Sequence, residues 1–100
     1  MSVGDWLDRR TPPPPQELRD RMSETLEATG DEDDAFPALA SAALEELDRA
    51  RRSPGRVRES AFHLLTADAL LTYACEAALD LPDPDAALRD LVERAASTER

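Results

Sequence analysis

Apolar residues between positions 56 and 81 recur on two sides of a helix rather than one. At helical spacing Val57, Ala61, Leu64, Leu65, Leu71, Cys75, Ala78 and Leu79 share one stripe, while Phe62, Ala69, Tyr73 and Ala77 form a second. A helix with two apolar sides is the middle of a bundle, a subunit interface, or both. The pattern therefore predicts a long central helix over residues 56–81, with one acid, Asp68, in the middle of its first stripe.

The rest of the chain reads as shorter helices set off by clear punctuation. Val3, Trp6 and Leu7 fit a short helix within residues 3–10, which the four prolines at 12–15 stop by holding the backbone extended and removing its donors. Leu18, Met22 and Leu26 recur every fourth residue through 16–28. Gly30 is expected to close that helix and Asp33 or Asp34 to open the next, over 35–52, with Phe36, Leu39, Ala40, Ala43, Leu47 and Ala50 as its apolar face. Ser53 followed by Pro54 signals a cap and first residue for the central helix, and Asp83 followed by Pro84 repeats that signal for a last helix with Leu88, Leu91, Val92 and Ala95 on one face.

No segment alternates with period two and β-branched residues are few, so strands are not expected. Short connections make neighbouring helices antiparallel. The expected fold is all-α: a small antiparallel bundle of about four helices over residues 16–100, preceded by an N-terminal arm, residues 1–15, that carries Trp6 and a polyproline spacer.

Composition narrows the picture. Of 100 residues 17 are alanine and 14 leucine, so the core is thin, and a thin core beside a two-sided helix favours a homodimer that completes the burial. The net charge of −10 argues against nucleic acid or an anionic membrane as a partner, and no stretch approaches the roughly 18 apolar residues of a membrane span. A single cysteine and an N-terminus without the apolar run of a signal peptide place the expected location in the cytoplasm.

Candidate chemistry is sparse. Asp68 is the buried polar candidate, because a carboxylate amid leucines needs a partner or must become neutral. Glu59 and His63, four residues apart, form half of a metal site at best, and no further acid lies one turn away on the same face. Ser60, His63 and Asp68 point in three directions, and His63 and Cys75 lie too far apart on one helix to react together, so no nucleophilic constellation forms. Arg49, Arg51, Arg52, Arg56 and Arg58 cluster at a helix start, where an anion would be held by cations and free backbone donors, although helix-dipole and ion-pair roles explain most of them. Trp6, Phe62, Leu70 and Tyr73 are the candidate interface residues, since exposed aromatic anchors dominate binding surfaces.

These readings predict a non-enzymatic helical interaction or assembly module, homodimeric, without cofactor. Two alternatives come from other classes: a small-molecule or metal-binding bundle, enzymatic or not, with a pocket near Asp68, Thr72 and Tyr73; and an acidic regulator that neutralises a basic partner.

Overall fold

The computed structural model describes residues 2–28, 34–53 and 55–97, and within them the chain is all helix: α1 (Val3–Asp8), α2 (Gln16–Ala28), α3 (Ala35–Arg51), α4 (Val57–Ala78) and α5 (Pro84–Ser97). The helix ends follow local chemistry. Ser2 caps α1, its Oγ accepting the Asp5 N–H at 3.1 Å, and Asp83 caps α5, its Oδ1 accepting the Ala86 N–H at 3.1 Å. Asp34 is the cap residue of α3 by backbone conformation but makes no side-chain cap bond. Gly30, Asp33 and Pro54 lie outside the described residues.

The start of α4 corrects the Ser-Pro reading. Gly55 takes a φ of +83°, a left-handed turn natural only for glycine, and the helix begins at Val57 with Arg56 as its cap. Ser53 faces backward, donating its hydroxyl to the Arg49 carbonyl at 2.9 Å and so serving the end of α3.

The helix surrounded by the others is α3, not α4. It meets α1, α2, α4 and α5, and it buries Ala38, Leu39, Ala40, Ala42, Ala43, Leu44 and Ala50. Its most extensive packing is against α4, whose buried face consists of Thr66, Ala67, Ala69, Leu70, Ala74, Ala77 and Ala78. Alanine on both sides of this seam lets the two backbones approach closely, which is why a helix of small side chains can sit at the centre.

The N-terminal segment belongs to the core. Trp6 is 8% exposed and Leu7 fully buried, and the Trp6 ring meets Tyr73 edge to face with centroids 6.3 Å apart. The Arg10 guanidinium lies over the indole at 3.9 Å, and Arg19 of α2 reaches the Gly4 carbonyl and the Asp8 carboxylate, each at 3.3 Å. Trp6, expected on the N-terminal arm either to pack against its own bundle or to anchor a partner, does the first and ties α1 to the core.

The two-sided apolarity of α4 splits cleanly. The side with Ala69, Tyr73 and Ala77 packs inward, and Phe62 at its edge is half-covered by Arg21, whose guanidinium lies 4.3 Å from the ring. Most of the first stripe points outward: Val57 is 81% exposed and Leu79 72%, Leu64 and Leu65 are half exposed, and Ala61, Asp68 and Cys75 are exposed as well. Leu71 and Ala78 are the members of that stripe that turn into the bundle. Cys75 is therefore an exposed free thiol rather than a buried hydrophobe.

Candidate functional site

Two features of α4 stand out, one on each side of the helix. On the inward side lies a buried carboxylate, on Glu46 of α3 rather than at Asp68. The Glu46 side chain is 5% exposed and takes three hydrogen bonds from three helices: Thr25 Oγ1 of α2 donates at 2.5 Å, His63 Nδ1 of α4 meets it at 2.6 Å, and Arg49 of α3 donates at 2.9 Å. Burial alone would push its pKa up. The hydrogen bonds from Thr25 and His63, with the charges of His63 and Arg49, outweigh that and hold the carboxyl below its ordinary value. Arg21 and Glu24 close a crevice of about 120 Å3 over this cluster.

A histidine held by a buried carboxylate is half of a general-base arrangement, here with Nε2 4.0 Å from Glu59. Among the described residues no hydroxyl beside it is placed to complete the chemistry. The Ser60 hydroxyl donates to the Ala50 carbonyl at 3.2 Å, that of Thr66 to the Phe62 carbonyl at 2.9 Å, and that of Thr25 to Glu46 itself. Each nearby hydroxyl is committed elsewhere. The cluster acts as a three-helix clasp that fixes the register of α2, α3 and α4.

The sequence-derived site residues separate accordingly. Glu59 lies 4.0 Å from His63 Nε2, a looser contact than the one from Glu46, and among the described residues no group of three or more His, Cys, Asp or Glu is arranged to hold a metal ion. Arg49 pairs with Glu45 and Glu46, Arg52 with Asp48 at 2.8 Å, and Arg56 with Glu59 at 3.3 Å, so these cations are engaged by their own acids; Arg51 and Arg58 are exposed. Thr72 and Tyr73 do line a shallow crevice, with Arg10, Pro12 and Glu76 as neighbours, but Asp68 stands apart on the outer face. Leu70 is fully buried between α4 and the bundle, which removes it from the candidate interface.

On the outward side, Val57, Ala61, Leu64 and Leu65 toward the start of α4 and Cys75 and Leu79 toward its end form an apolar stripe in two parts, separated by Asp68 and Thr72. At 22 residues α4 is about 33 Å long, so this is a ridge rather than scattered single exposures. Among the described residues no helix is long and apolar enough to cross a membrane. No family model, curated protein or solved structure matches this chain.

Proposed function

We propose that the protein is a helical interaction module that works by self-association, with the outward stripe of α4 as its contact surface. The observation that carries the proposal is that α4 is apolar on both sides while its own chain covers one. Four large aliphatic side chains, Val57, Leu64, Leu65 and Leu79, stand half or more exposed along that ridge. Removing such surface from water is worth roughly 25 cal/mol per Å2, so a second copy gains free energy from the same residues that the monomer leaves wet.

The Thr25, Ser60 and Thr66 hydroxyls around the buried Glu46–His63 pair are each engaged in structural bonds, which favours an assembly role over a catalytic one. Leu64→Asp tests the proposal. Residue 64 faces water in the single chain, so the variant keeps the monomer's stability, and light scattering shows its dimer dissociation constant raised at least tenfold, about 1.4 kcal/mol. A variant that associates like the parent contradicts the proposal.

A further inference from the structure

We infer that the second copy lies antiparallel, α4 against α4, about a two-fold axis passing beside Asp68. This rests on the self-association proposed above and specifies its geometry. Three properties of the exposed face point to it.

The first is internal symmetry. Asp68 is the midpoint of the stripe, with Val57 and Leu79 each eleven residues away. Reversing the helix about that point sets Val57 opposite Leu79 of the second copy, Ala61 opposite Cys75 and Leu64 opposite Thr72, while Leu65 falls opposite position 71, whose leucine turns into the bundle. The small pair, Ala61 and Cys75, thus falls between the Val57–Leu79 and Leu64–Thr72 pairs.

The second is charge. Arg58 and Glu76 are exposed and eighteen residues apart, which is five full helical turns, so both project from the same edge of the stripe. An antiparallel pair keeps like edges together and brings Arg58 of each copy beside Glu76 of the other. A parallel pair puts the like edges on opposite sides of the seam, so Arg58 of one copy would not reach Glu76 of the other. Within the chain Glu76 is met by Arg10 at 3.8 Å, a loose contact that leaves it able to accept a second cation.

The third is size. One helix face about 33 Å long covers on the order of 1,000 Å2 in total when paired, at the low end for specific interfaces. The two Asp68 carboxylates meet at the axis and oppose pairing there, while the reciprocal Arg58–Glu76 contacts of the two copies set the register. The result is a reversible dimer with one preferred register, tighter in Asp68→Asn.

Directed cross-linking tests the arrangement. In the antiparallel pair the two Cys75 residues lie about 21 Å apart along the axis, beyond disulfide reach, whereas residue 61 of one copy sits beside Cys75 of the other. Residues 61 and 75 of one chain are equally far apart, so no bond closes within the monomer. Under copper–phenanthroline oxidation the parent chain therefore stays uncross-linked and Ala61→Cys yields a covalent dimer. Arg58→Glu weakens association measured by sedimentation, and the double exchange Arg58→Glu/Glu76→Arg restores it.

Rapid cross-linking of the parent through Cys75 overturns the antiparallel geometry in favour of a parallel one. A dimer seen by sedimentation that neither cross-links in Ala61→Cys nor responds to the charge exchange also overturns it, while leaving self-association standing. Absence of any dimer, in the parent and in Asp68→Asn alike, removes the proposed function itself.

Discussion

Leu70→Ala lowers the unfolding free energy by about 2–5 kcal/mol and leaves self-association untouched. Leu70 has no exposed surface and lies on the α4 face that packs into the bundle, so truncating it opens a cavity inside the single chain. For a 100-residue domain, whose whole stability is on the order of 5–15 kcal/mol, this is a large share. Urea denaturation at several protein concentrations checks both halves. The midpoint falls by the same amount at each concentration if Leu70 is core; a loss that vanishes in dilute protein would return Leu70 to the interface.

Glu46→Gln has the second largest expected effect, about 1.5–3 kcal/mol at neutral pH, because it removes charge-assisted hydrogen bonds that join three helices. Its pH signature distinguishes it from a packing defect. The folded carboxyl titrates below its unfolded value, so its stabilisation is complete above the ordinary glutamate range near 4.5 and is lost as pH falls through the lower folded value. Acid therefore destabilises the parent more steeply than Glu46→Gln below pH 4.5, and the two stability curves converge there. Parallel curves down to low pH would show that Glu46 is not ionised in the folded chain.

The contrast between Glu46 and Asp68 shows what the sequence could and could not reveal. Both acids interrupt an apolar row: Glu46 falls three residues after Ala43 and four before Ala50, in line with Leu39, and Asp68 falls among Leu64, Leu65 and Leu71. Periodicity locates both rows but does not say which one faces the bundle. Leucine content made the outer face of α4 look like the core, while the true centre, α3, is built from alanines interspersed with Glu45, Glu46, Asp48 and Arg49 and reads as weaker. Small side chains carry a weak hydrophobic signal yet permit the closest packing, so hydrophobicity alone ranks the helices in the wrong order.

Other features were legible because their cause is local. The all-helical class follows from periodicity without alternation, and the Asp83 cap of α5 follows from a side chain that can reach the free N–H of Ala86. Trp6 required knowledge of tertiary packing, because the indole is covered by Tyr73 and Arg10 from distant and adjacent parts of the chain. His63 could be read only with its sequence neighbour Glu59, since its closer partner, Glu46, is brought in by the α3–α4 turn.

The unburied ridge of α4 is the centre of the account, and sedimentation equilibrium of the full chain tests it most directly. Over a series from about 1 to 300 µM, the range in which an interface of this size titrates, the apparent mass should rise from 11.0 kDa toward twice that value. A mass that stays at 11.0 kDa across the series contradicts it.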